Sequence, residues 1–354
     1  MADDDTTAER SPTRTRVRLV GISSRAWEHP ADRGALVALR QLKGFDTVLK
    51  KLASLWNERS LRLVYIGNAI RVDDRQYPRV HRALADAALV LDVAQPPEVF
   101  VIADPVARAM AIGVDAPFIV LTSGMVALAD DEELRVVVGH ELGHILSGHA
   151  LYTTMLLQLV RLSASLSWLS FGALGLRAII AALHEWQRKA ELSGDRAGLL
   201  ASQDPGAATR MLMKLAGGGR LDDLDVTAFA QQGDEYLSSP DVRDSVLKLL
   251  LLEGRSHPFT VVRAAELRRW VDAGEYNRIL GGEFPKRADD ATASLRTEVG
   301  DAARHYRDAF ERSQDPLVNL LREVGGTIAG ATDWLSSRLR GTGGGTGGDP
   351  RAGA

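Results

Sequence analysis

The first half of the chain mixes two periods of hydrophobic position, and the second half keeps only one. Short runs rich in β-branched and aromatic residues at Leu61–Ile66, Glu98–Ala103 and Pro117–Ser123 read as strands, set among helical patterns at 34–57, 75–92 and 130–150. Beyond 150 the periodicity is helical throughout. This predicts an α+β fold, mostly α-helical, around a small sheet, with no internal repeat. Both ends fall outside the pattern: residues 1–15 are polar and acidic, and 341–354 (GTGGGTGGDPRAGA) has too little apolar content to pack. Both are expected to be disordered.

Three helical stretches carry more detail. The one near 130–150 has a legible start, with Asp130 or Asp131 as cap, Glu132 and Glu133 in the first turn, and Val136, Val137 and Val138 to bury it. Residues 150–183 are apolar but interrupted by Arg161 and Arg177, and are too short for two membrane crossings of about 20 residues each plus a turn. A buried helical hairpin is the expectation there, with contact at a membrane surface as the alternative. In a C-terminal helical extension, 285–340, the apolar residues of 316–339 recur at three- and four-residue steps and form one face. That face is expected to pack back on the domain, with lipid-surface binding in reserve.

Composition narrows the function classes. The chain has 354 residues, 43 basic and 46 acidic, with a formal net charge of −3, so no basic surface points to nucleic acid. It contains no cysteine, which removes disulfides, thiolate metal sites and a cysteine nucleophile. Any metal must be held by imidazole and carboxylate. The acidic, polar start is unlike an export signal, so a cytoplasmic location is expected, with peripheral membrane contact through 150–183 or 316–339 as the variant.

Residues 140–144 read His-Glu-Leu-Gly-His. Two histidines four apart stand on one helix face, so His140 and His144 can reach a single zinc ion while Glu141 sits beside its open position. The longer motif that adds a third histidine would need Gly at 147 and His at 150, where this chain has Ser147 and Ala150. On a helix continued to 150, His149 would lie about 140° around from His144 and point away from the metal. It reads as a surface histidine or one standing behind a ligand.

A third ligand is expected downstream, in the stretch His184–Asp195. Glu191 and Asp195 are four apart and share a face, so Glu191 could bind the metal while Asp195 accepts the outer N–H of a ligating histidine. His184, seven residues before Glu191, is the rival ligand.

These residues carry a resemblance. His140–His144, then Arg188-Lys-Ala-Glu191-Leu-Ser-Gly-Asp195, then Ser256-His257-Pro258 with Arg263, resemble the HtpX and CAAX-prenyl-protease family of zinc metallopeptidases. The resemblance runs over about residues 20–270 and implies a zincin-like domain with glutamate as third ligand. It implies His257, with Arg263 near it, as the partner of the oxyanion. It also includes Arg108-Ala-Met-Ala, where Arg108 replaces the family's asparagine, and the strand Pro117-Phe118-Ile119-Val120-Leu121-Thr122, which the family resemblance offers for main-chain pairing with an extended substrate.

The expectation is a zinc metallopeptidase domain at 20–275, binding one Zn²⁺ through His140, His144 and Glu191, with Asp195 behind the ligands and Glu141 as general base. It would cut internal bonds of polypeptides, in protein quality control by family analogy. The competing reading is an inactive zinc-stabilised scaffold or membrane-surface binding protein. Glu141 argues against it, because a purely structural site has no use for a base at an open coordination position.

Overall fold

Helical periodicity and a short sheet both occur in the computed structural model, which describes residues 15–41, 58–165, 173–238 and 259–290. Along the chain come α1 (Pro30–Gln41), α2 (Glu58–Asn68), β1 (Ile70–Arg71), α3 (Pro78–Val90), β2 (Val99–Ile102), β3 (Ala109–Ile112), β4 (Phe118–Thr122) and α4 (Ser123–Leu128). There follow α5 (Asp131–Leu146), α6 (His149–Ser165), α7 (Ala173–Ser202), α8 (Pro205–Gly217), α9 (Val226–Ser238), α10 (Thr260–Asp272) and α11 (Glu275–Leu280). No helix among the described residues is long and apolar enough to cross a membrane. Residues 1–14 of the expected disordered start 1–15, and the expected segments 316–339 and 341–354, lie outside the described residues, as does His257.

One expected strand is a helix. Leu61–Ile66 lies inside α2, because Leu61 and Tyr65, four apart, both pack on the sheet while Leu63, Val64 and Ile66 face outward. Tyr65 meets Phe118 edge-on at 5.2 Å. Glu58, in the first turn, accepts the N–H groups of Val114 and Ala116, so the helix start is tied to the loop between β3 and β4. A six-residue apolar run has too few turns for its own periodicity to distinguish helix from strand.

The sheet runs β1-β2-β4-β3, with β2 and β4 parallel and the outer pairs antiparallel. This corrects the expected substrate strand. Phe118, Ile119, Val120, Leu121 and Thr122 are all buried in β4, whose two edges are already paired with β2 and β3, leaving no main-chain edge for a peptide. Pro117, just before β4, is the residue against which Gly113 turns. The sheet edge on that side is β3. Thr122 N–H donates to the Arg108 carbonyl at 3.0 Å, which fixes the alternation of the ladder. Met110 and Ile112 then point their main-chain groups at β4, and Ala109 and Ala111 point theirs away from it.

α5 crosses the main core. Asp130 and Glu133 form a reciprocal capping box at its start, and Val136, Val137 and Val138 are buried as expected. Glu133 is fully buried and its Oε2 accepts from Lys214 Nζ at 2.7 Å. Glu133→Ala removes the cap partner and strands a buried ammonium, so a loss of about 3–5 kcal/mol is expected in chemical denaturation. A loss below about 1 kcal/mol would contradict that reading.

α5 and α7 approach closely because their contact faces are made of glycine and alanine. A Cβ added at Gly139 would come within 2.3 Å of Ala201 Cβ, and one at Gly143 within 2.3 Å of Ala197 Cβ. At Gly198 it would lie 2.6 Å from the Val136 carbonyl. In the 150–183 region, Tyr152, Met155, Leu156 and Leu159 of α6 pack with Ile179, Leu183 and Trp186 of α7 and with Ala35 and Leu39 of α1 in a second core.

Candidate metal centre

The close approach of α5 and α7 lays Glu191 across the two histidines. His140 and His144 are one turn apart on α5, with Nε2 atoms 3.0 Å from each other. Glu191 Oε2 is 3.4 Å from His140 Nε2 and Oε1 is 3.7 Å from His144 Nε2. One ligand atom from each residue falls within 4.8 Å of the others, and all three are buried. His184 is not in this cluster. Seven residues along the same helix displace it by about 10 Å from Glu191.

The outer nitrogen of each histidine is engaged. His140 Nδ1 is 3.2 Å from Asp195 Oδ1, which fixes Nδ1 as the protonated nitrogen and leaves the Nε2 lone pair turned to Glu191 and His144. His144 Nδ1 is 2.9 Å from His149 Nδ1. His149 was expected to point away, but Gly148 (φ +72°) breaks the helix and His149 opens α6. The projection along a continuous helix therefore fails, and a histidine read as a surface group or one behind a ligand is buried at the ligand's back.

Arg263 of α10 is buried with its Nε and Nη2 donating to Asp195 at 2.8 and 2.6 Å, and Nη1 3.3 Å from Glu191 Oε2. Its contacts hold the two carboxylates of α7. Burial would raise the Asp195 pKa, but the guanidinium keeps the carboxyl below its usual range. Glu141, next to His140, is buried, and burial raises its pKa to about 7. His140 and Arg263 oppose that rise, Glu191 adds to it, and the Ala111 N–H of β3 is hydrogen-bonded to the carboxylate. The two histidines diverge: burial takes His144 down to about 4, whereas hydrogen bonds to Asp195 and Glu191 outweigh burial and raise His140 to about 10, so a metal taking the His140 Nε2 lone pair would displace a proton there.

These residues fit a divalent metal. Two imidazole lone pairs and one carboxylate converge in a buried space, each histidine backed on its outer nitrogen, with no thiolate in the chain. Gly194 and Asp32 were not legible as site residues, and His149 was read only as a surface histidine or one behind a ligand. Gly194 belongs to the site because a Cβ there would meet the His140 ring at 2.6 Å. Asp32 and His149 stand behind His144. A helical glycine between Glu191 and Asp195 was the available signal for the first; nothing in the spacing pointed to Asp32.

Comparison with known proteins agrees with this geometry. Residues 74–271 match the model of peptidase family M48. The chloroplastic plastoglobule-localized metallopeptidase of Arabidopsis thaliana is 34% identical over 264 residues, covering 72% of this chain and 74% of that protein. A protease HtpX homolog of Streptococcus pneumoniae is 34% identical over 112 residues, which is 31% of this chain and 37% of that protein. No solved structure matches. With the family match spanning more than half of the sequence and centred on the His140, His144 and Glu191 cluster, the chain belongs to peptidase family M48 and is an HtpX-type metallopeptidase.

Proposed function

We propose that this chain is a zinc-dependent endopeptidase acting on unfolded or flexible polypeptides, with a catalytic domain near 20–275. The observation that carries the reading is the buried convergence of His140, His144 and Glu191 with Glu141 beside it. The packing of Leu19 and Ile22 at one end, and of Tyr276 and Ile279 at the other, into one core supports the domain span. His140, His144 and Glu191 would hold the zinc, which would supply a Lewis acid that lowers the pKa of water.

Glu141 is the general base in this reading. A carboxylate raised toward neutrality both takes a proton from water and returns it to the leaving amine. The outward main-chain groups of Ala109 and Ala111 replace β4 as the edge for an extended peptide, which would take over the Ala111 N–H from Glu141. Arg263 positions Glu191 and Asp195. His257 stays the proposed oxyanion partner, tested by the turnover of His257→Ala, where a loss of about 10²–10³ is expected and an unchanged rate excludes it.

Service in protein quality control rests on the likeness to HtpX proteases, and the natural substrates retained by a Glu141→Gln trap in cells would test it: folded clients alone contradict it. Peripheral lipid contact is supported by the plastoglobule location in the Arabidopsis relative's name. Flotation of the full chain with liposomes tests it, and a chain that stays at the bottom of the gradient rules it out.

Metal removal tests the main reading. Stripping the protein with a chelator is expected to abolish casein hydrolysis, and one equivalent of zinc to restore it. Hydrolysis that survives complete removal of metal would refute the proposal.

A further inference from the structure

Behind His144 lies a chain of contacts that the proposed chemistry does not use. His149 Nδ1 is 2.9 Å from His144 Nδ1, and His149 Nε2 is 3.1 Å from Asp32 Oδ2 on α1. Asp32 is 1% exposed. Its Oδ1 accepts from Trp186 Nε1 at 3.0 Å and its Oδ2 from the Ser193 hydroxyl at 2.6 Å. Ser193 Oγ in turn accepts the His29 N–H at 2.8 Å. The His149 ring stands edge-on to Trp186, with centroids 5.4 Å apart. A buried carboxylate, fixed by two donors from α7, thus reaches one ring nitrogen of His149 and leaves the other for His144.

Proton placement along this chain has one solution compatible with metal binding. His144 can offer its Nε2 lone pair only if its proton sits on Nδ1. That proton has one acceptor in the contact, the bare Nδ1 of His149, whose own proton must then be on Nε2. There it meets Asp32. His140 obtains the same tautomer directly from Asp195, while among the described residues no carboxylate contacts His144 Nδ1.

We propose that His149 and Asp32 are positioning residues for the metal, an imidazole–carboxylate relay that fixes the tautomer and orientation of His144. The inference rests on the reading of His140, His144 and Glu191 as metal ligands. It makes the docking of α1, which brings Asp32, part of assembling the centre.

Asp32→Asn is the sharpest perturbation, because it keeps the size of the side chain and places an amide N–H where Oδ2 was. That donor forces His149 to bare its Nε2, turns its Nδ1–H toward His144, and leaves His144 protonated on the nitrogen that should ligate. His149→Phe keeps a ring against Trp186 and removes the acceptor. Zinc affinity of the full-length protein, measured by competition with a chromophoric chelator, is expected to weaken about 10–100-fold in each variant. Circular dichroism and thermal unfolding of the metal-free proteins establish that both are folded. A folded variant with zinc affinity within about twofold of wild type overturns the relay.

The parent reading fails separately: it falls if wild type binds no zinc, or if His144→Ala binds it as tightly. Should neither variant fold, ¹⁵N imidazole spectra of the zinc-loaded wild type decide. A proton on Nε2 of His149 with Nδ1 bare supports the relay, and any proton on Nδ1 overturns it.

Discussion

Glu141→Gln is expected to lower the turnover of an unfolded polypeptide by about 10²–10⁴ while bound metal is unchanged. The amide is nearly isosteric and can still accept the Ala111 N–H through its carbonyl oxygen, so the strand edge and the helix stay in place. It cannot take a proton. Because Glu141 is not among the converging ligand atoms, its neutralisation leaves the donor set intact. Kinetics on casein with metal content measured on the same samples would check this. A drop in metal that parallels the drop in rate would mean that Glu141 is a ligand and the geometry is misassigned.

Glu191→Ala is expected to have the second large effect, loss of the metal itself. Losing an outer hydrogen-bond partner costs a metal site roughly 10–100-fold in affinity, and removing one of three ligands should exceed that. Asp195 is expected to remain in place, because Arg263 grips it through Nε and Nη2 independently of Glu191. The variant should therefore fold, bind zinc weakly and hydrolyse nothing. Chelator competition and assay together check it. Full zinc stoichiometry at wild-type affinity would remove Glu191 from the ligand set and return attention to His184.

How much of this was legible in the sequence follows the range of the interactions. His140 and His144 are related by a single helix, so spacing alone placed both on one face, and Glu191 with Asp195 followed by the same rule. Juxtaposition of the two helices was not written in either spacing. It depends on Gly139, Gly143 and Gly198 meeting Ala201, Ala197 and the Val136 carbonyl, long-range contacts that spacing within one helix does not contain.

The misread elements share a cause. Sheet order decides whether a strand has a free edge, and the burial of β4 between β2 and β3 is a long-range pairing that local pattern does not contain. Leu61–Ile66 took helical form because its inward residues were Leu61 and Tyr65, a choice made by the aromatic face of the sheet. His149 was misplaced through a helix break at Gly148, where a left-handed residue restarts the chain as α6. A glycine that ends the helix takes the histidine five residues past His144 off the projection around a continuous helix.

The central claim is that the metal sits between two imidazoles and one carboxylate and that this centre cuts peptide bonds. X-ray absorption at the zinc edge, recorded on full-length protein from a preparation that is hydrolysing casein, tests it most directly. The account predicts one zinc per chain with nitrogen and oxygen neighbours at about 2.0–2.2 Å, two of them imidazole. Hydrolysis by a zinc-free preparation, or a coordination sphere with three imidazoles, would contradict it.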